Sequence, residues 1–292
     1  DKKLAAQLDP AWGVDVIVGG HSHTFIEEPA IVNDIVIVQA GTGTDQIGRF
    51  DIMIDTDNNC IDSYSWGTIP INDEHCPRDE ALEKILKHYK GQTDVKYGRL
   101  ITRLKKQLTH PSRNQETALG GLLSDIMCKS LGLDIMLLGS GSVRSTELGP
   151  IVLYSDLCEC FPYDDASYML QVTGAQLKHM IKYMVRDEVW EGVHNEFYQL
   201  SSGMRVVYDR ATHEFLRFDL NGKPVEDEKI YKIGLQQFHF NNLEEFFNIS
   251  FDEVSKNAKP VVVATSCLGI FDEYLSNHQN LDREITGRLV II

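Results

Sequence analysis

Along residues 14–70 the apolar positions come in short runs, "VDVIVGG", "IVIVQA", "GRFDIMID" and "CIDSYSWGTIPI", separated by turn residues such as "DTDNN". Runs of this length bounded by Gly, Asn and Asp predict β-strands, and no helical period intervenes. The texture then changes. "PRDEALEKILKHYKGQ" opens on proline and acids, and Leu82, Ile85, Leu86 and Tyr89 recur at helical spacing. This predicts a linker helix that Gly91 is placed to stop. Beyond it strands alternate with helices. "GRLITRL" reads as a strand, "NQETALGGLLSDIMCKSLG" as a helix, and "LDIMLLGSGS" as a buried strand running into a glycine loop. "SYMLQVTGAQLKHMIKYMV" reads as a strand passing directly into a helix, with Thr173 and Gln176 at capping-box spacing. "MRVVYD", "EFLRFDL", the turn "NGK", "IYKIGLQQF" and "GRLVII" complete the pattern. The expected class is α/β (α+β): a partial β-sandwich, a linker helix, and a mixed α/β domain.

Composition narrows the partners. The 292 residues are 42% hydrophobic, enough for a real core. No apolar run approaches the ~20 residues of a membrane helix. "DKKLAAQLDP" has no apolar stretch of the signal-peptide kind. With 28 basic residues against 43 acidic, the net charge is -15. Such a surface repels polyanions, which argues against nucleic-acid polymers and leaves room for a small anion held locally. The six cysteines lack C-x-x-C spacing and read as inert thiols.

The candidate chemistry begins at "GGHSH". If the segment is extended, His21 and His23 point to one side, about 6.5–7 Å apart along the chain. Two neutral imidazoles there suit zinc or a similar divalent metal. Two solvated loop histidines would leave the same pattern.

"VDVIVGGHSHT" resembles the last metal-binding motif of the calcineurin-like metallophosphoesterases. The later segments resemble the C-terminal domain of the 5′-nucleotidase and UDP-sugar hydrolase family. The resemblance implies residues 1–76 as the end of a phosphoesterase domain, 77–94 as the linker, and 95–292 as a complete 5′-nucleotidase C-terminal domain. It implies two divalent metal ions (Zn, Mn or similar), with His21 and His23 as ligands, one to each. The family's D-x-H, G-D and G-N-H motifs have no match in the right place, so the chain is expected to be truncated at its N-terminus and inactive alone. The parent is expected to be a metal-dependent phosphohydrolase acting on a nucleotide, cyclic nucleotide or nucleotide-sugar. Its relatives are often periplasmic, secreted or on the cell surface.

The resemblance also assigns a nucleoside grip. In "SRNQETALGGLLSD" it places Arg113 on the ligand, and in "LLGSGSVRS" it places Arg144 there. Tyr163 of "CECFPYDD" takes the place of a first stacking ring. In "NNLEEFFNISFDEV" Phe247 takes the second, and Asp252, with Glu253 as neighbour, that of an acid on the ribose. Two departures stand out: the loop 139–142 lacks the family's asparagines, and Leu243-Glu244-Glu245-Phe246 replaces a glycine-rich turn. The rival readings are a non-catalytic nucleotide-binding module and a surface-interaction protein with a decayed pocket.

Overall fold

A computed structural model describes residues 1–190 and 196–292. The chain divides into two compact units, Asp1–Tyr89 and Lys90–Ile292.

The first unit opens on a short helix α1 (Lys2–Ala5). It carries strands β1 (Val16–Val18), β2 (Ala30–Val32) and β3 (Ile35–Val38), then a long hairpin of β4 (Gln46–Asp55) and β5 (Cys60–Pro70). β3 lies centrally, parallel to β1 and antiparallel to β2. Ile35 and Ile37 of β3 pack with Ala5 as a small core. In the hairpin, the Trp66 indole donates to the Ile26 carbonyl at 2.9 Å.

Helix α2 (Glu80–Tyr97) crosses the division. Asp79 starts it by accepting from the Ala81 and Leu82 amides. The expected stop at Gly91 is not used, and the helix runs on to Tyr97. An interior glycine costs a helix about 1 kcal/mol against alanine but leaves its N–H and its sterics intact, so it weakens without ending it.

The second unit contains β6 (Leu100–Arg103), β7 (Leu108–Thr109), α3 (Ala118–Ser130), β8 (Ile135–Gly139), β9 (Glu147–Leu148), β10 (Ile151–Leu153), α4 (Tyr154–Cys160), β11 (Ser167–Thr173), α5 (Gly174–Met184), α6 (Asp187–Trp190), β12 (Tyr198–Leu200), β13 (Met204–Asp209), β14 (Glu214–Leu220), β15 (Lys223–Pro224), β16 (Ile230–Gln236), α7 (Gln237–Asn241), α8 (Leu243–Phe247), α9 (Phe251–Ser255), β17 (Val261–Ala264), α10 (Cys267–Asn277) and β18 (Leu289–Ile291). Its main sheet has the order β12-β8-β16-β11-β17, and a second sheet the order β15-β14-β13-β18. β8 is buried at every position, as its continuous apolar run requires. One core cluster lies between the main sheet, α5 and α8; another packs α3, α4 and α10 around β8. The Thr173–Gln176 capping box starts α5 as its spacing predicts. Asn221 and Gly222 take positive φ in the "NGK" turn.

Candidate functional site

β8 and β16 run parallel, and β11 and β12 run antiparallel to them, so one end of the main sheet gathers four chain segments. These are the loop 139–142 after β8, the start of α7 after β16, the loop 163–166 before β11, and Glu196 before β12. Strand ends of this kind put polar side chains on a rigid frame.

The loop 139–142 turns through a short 3₁₀ segment held by buried amides. Gln236 Oε1 accepts from the Gly139 amide at 3.3 Å and from Ser142 Oγ at 3.1 Å. Gln199 Nε2 donates to Ser140 Oγ at 2.9 Å, while its Oε1 accepts from the Thr117 amide. A Cβ on Gly139 would collide with the His239 imidazole, so the glycine lets that ring reach the strand end.

Three charged groups meet at Gly141. Glu196 accepts from the Gly141 amide at 2.5 Å and from Arg113 Nη2 at 2.6 Å. The Arg113 guanidinium crowds the Gly141 Cα, where a Cβ would clash with it. Arg144 Nη1 donates to the Gly141 carbonyl at 3.3 Å. The structure thus brings Arg113 and Arg144 onto one peptide, although they lie on separate loops.

Tyr163 is 47% exposed. Its loop is tied to the start of α7: the Gln237 amide donates to the Ala166 carbonyl at 2.8 Å, and the Phe238 amide to Asp165 Oδ2 at 3.2 Å. The ring presented on α7 is Phe238, which is 58% exposed.

Phe247, the expected second stacking ring, is instead buried. It has no exposed surface and packs against Tyr198, ring centroids 4.7 Å apart, inside the core. Leu243 and Phe246 are buried beside it, so α8 turns its apolar face inward. Asp252 is exposed in the first turn of α9, and among the described residues no hydrogen bond or ion pair joins it to Arg113 or Arg144. Its neighbour Glu253 accepts from the Ser250 amide and hydroxyl as a capping box, and these bonds hold its carboxyl below the usual range. The sequence reading passed over Glu196, Phe238, His239 and Gln236. The strand–aromatic sequence "GLQQFHF" held a usable signal, because it puts Phe238 just past a buried strand; Glu196 carries no local signal at all.

Below the arginines lie two buried imidazoles. His239 Nδ1 pairs with the Tyr198 hydroxyl at 2.9 Å, and His110 Nδ1 with Thr117 Oγ1 at 2.8 Å. Their Nε2 atoms have no hydrogen-bond partner among the described residues. Burial, and then the Arg113 charge, push His239 down to about 4, and burial lowers His110 as well. Both rings are therefore neutral at pH 7. Burial, reinforced by the Glu196 charge, raises the Tyr198 hydroxyl. A separate cavity of about 390 Å³ is lined by Asp125, Arg205, Arg283 and Arg288, but Arg283 and Arg288 are bonded to Asp125.

In the first unit His21 and His23 are exposed, and both take positive φ, 60° and 56°. The segment is bent rather than extended, so alternation along a strand does not decide where the rings point. Among the described residues no group of three or more His, Cys, Asp or Glu is placed to hold a metal. Two imidazoles are half of a four-coordinate shell. Among the described residues no third ligand stands beside them. Asp73 and His75 are exposed, with His75 Nδ1 on Asn72 Oδ1 at 2.8 Å. The cysteines are all free; burial pushes Cys160 up to about 12 and raises Cys267 too, consistent with inert thiols.

Comparison with known proteins supplies the context for this geometry. Residues 91–250 match the model of the 5′-nucleotidase C-terminal domain. The trifunctional nucleotide phosphoesterase protein of Bacillus subtilis is 27% identical, over 62% of this chain and 13% of that protein. The 5′-nucleotidase of Mus musculus is 22% identical, over 99% of this chain and 56% of that protein. Among solved structures, the 5′-nucleotidase precursor from Thermus thermophilus aligns over 100% of this chain and 61% of its own, with TM-score 0.77 and 22% identity. At that identity the likeness is one of fold. The chain spans little more than half the length of the mouse protein, and much less of the bacterial one.

Proposed function

Because the chain belongs to the 5′-nucleotidase family by its C-terminal domain, we propose that its second unit holds the nucleoside part of a nucleotide for a phosphohydrolase. The base lies between Tyr163 and Phe238, and Arg113 and Arg144 donate hydrogen bonds to the remainder of the ligand. Planar guanidinium forks suit ribose and phosphate oxygens, and exposed rings suit a base. The observation that carries this reading is the meeting of Arg113 and Arg144 on Gly141, at the sheet end that also presents the exposed Tyr163 and Phe238.

Divalent metals held in the whole protein would supply the Lewis-acid chemistry of phosphoric-ester hydrolysis, with His21 and His23 among the residues that would hold them. His21 and His23 contribute only part of that shell, since they need further ligands to complete it. The binding of a nucleotide is the function that this chain's own geometry supports.

Calorimetric titration with the common nucleoside 5′-monophosphates tests the reading. Saturable binding that Phe238→Ala and Arg144→Ala each weaken is the expected result. Absence of binding to all of them would favour a surface-interaction role instead.

A further inference from the structure

Glu196 and Arg113 form an ion pair with unequal halves. The Glu196 side chain is 7% exposed, whereas that of Arg113 is 43% exposed. Both carboxylate oxygens of Glu196 are engaged, one by Arg113 and one by the Gly141 amide. Losing either partner would leave a buried charge short of compensation. The carboxylate is therefore a fixed part of the site, and the guanidinium is its open face. Only Nη2 of Arg113 is used on Glu196, which leaves its other N–H groups without a partner among the described residues.

Arg144 differs. Its side chain bonds only the neutral Gly141 carbonyl, and it makes no ion pair among the described residues. The two arginines meet at one peptide, but one is paired with a carboxylate in contact and the other is not. A carboxylate in contact with a guanidinium cancels most of the attraction a phosphate would feel there. It does not weaken the directional N–H donors that a hydroxyl or carbonyl needs.

We infer that Glu196 is a positioning residue that fixes the Arg113 fork and cancels its charge, so that this side of the pocket takes an uncharged polar part of the ligand, a ribose hydroxyl or a base carbonyl, and leaves the anionic part to Arg144. This rests on the nucleotide-binding reading. It is a specificity device: a neutral donor point and a charged donor point meet at Gly141, and a ligand must match both.

Calorimetry on the full 292-residue chain tests it, with the common nucleosides and their 5′-monophosphates as probes. The readout is the ratio of monophosphate to nucleoside affinity for the best-bound base. Glu196→Gln keeps an acceptor for the Gly141 amide but removes the charge, so the ratio rises by about tenfold. Arg113→Gln leaves the Glu196 carboxylate uncancelled beside the ligand, so the ratio falls. A merely structural Glu196 would lower both affinities together; an unmoved ratio, or shifts of the same sign in the two variants, overturns the inference while the nucleotide-binding reading stands. If Glu196→Gln does not fold, the exposed Arg113→Gln decides alone, and an unmoved ratio there is fatal. A wild-type chain that binds none of the probes removes the nucleotide-binding reading and this inference with it.

Discussion

Phe238 and Phe247 stand on consecutive short helices and end in opposite environments: Phe238 is 58% exposed, and Phe247 has no exposed surface. Phe247 fills the core against Tyr198. Phe238 follows the hydrogen-bonded junction between α7 and the loop of Tyr163. A ring can hold a base only where a face is free, so the proposed stacking role falls to Phe238 rather than Phe247.

This assignment separates two substitutions. Phe247→Ala should cost about 3–5 kcal/mol of folding stability, as for other buried phenylalanines. Phe238→Ala should leave stability nearly unchanged, yet weaken nucleoside binding about tenfold, because stacking contributes ~1–3 kcal/mol per base. Urea unfolding and calorimetry read the two effects. The opposite pattern would return the stacking role to Phe247.

The buried ion pair of Arg288 and Asp125 gives a second stability test. Arg288 is buried and bonds Asp125 in a fork at 2.9 Å through both Nη atoms, joining the segment before β18 to α3. Arg288→Ala leaves the Asp125 charge with Arg283 as its remaining cationic partner among the described residues. The expected loss is about 3–5 kcal/mol. A loss under ~1 kcal/mol in urea unfolding would show that the pair is not closed to water.

His239 sets a pH dependence. Its folded value is about 4, against an ordinary value of 6.5, because burial disfavours the imidazolium. Between those values the unfolded chain binds the extra proton and the folded chain does not, so stability rises with pH. The contribution is fully present above about pH 6.5 and is lost progressively as the pH falls toward about 4. A His239→Gln variant should therefore lose less stability than wild type when both are moved from pH 7 to pH 4.5. Thermal unfolding at the two values measures the difference; equal losses would show that His239 is protonated in the folded state.

Metal chemistry offers the fourth test. His21 and His23 are exposed and bring no third ligand together among the described residues. His21→Ala should leave the melting temperature of this chain within about a degree, since surface changes fall within ~0.5 kcal/mol. The chain alone should release no phosphate from AMP above the protein-free rate, with or without added Zn²⁺ or Mn²⁺. Saturable metal-dependent release would show that the chain completes a metal site. In a longer protein that supplies the remaining ligands, His21→Ala should abolish activity.

Much of the architecture was legible in local pattern. The continuous apolar run of β8, the capping box before α5 and the "NGK" turn are set by neighbours within a few residues, and each stands where its pattern put it. Helix α2 shows the margin of such reading, because a lone glycine penalises a helix by less than its flanking turns contribute.

The sequence by itself determined the alternation of strands and helices, the net charge of -15, and the arginines and aromatic rings available for a pocket. Only the tertiary structure decided which of those groups meet. Glu196 and Arg113 lie far from Gly141 in the chain: the pairing of β12 with β8 brings Glu196 beside Gly141, and its ion pair brings Arg113 to the peptide that Arg144 reaches locally. Likewise Phe247 became core because α8 turns its apolar face toward Tyr198, while Phe238 on α7 stayed at the surface. Both outcomes are long-range: local preference sees only a few residues of chain, whereas burial and charge pairing depend on what the sheet brings alongside.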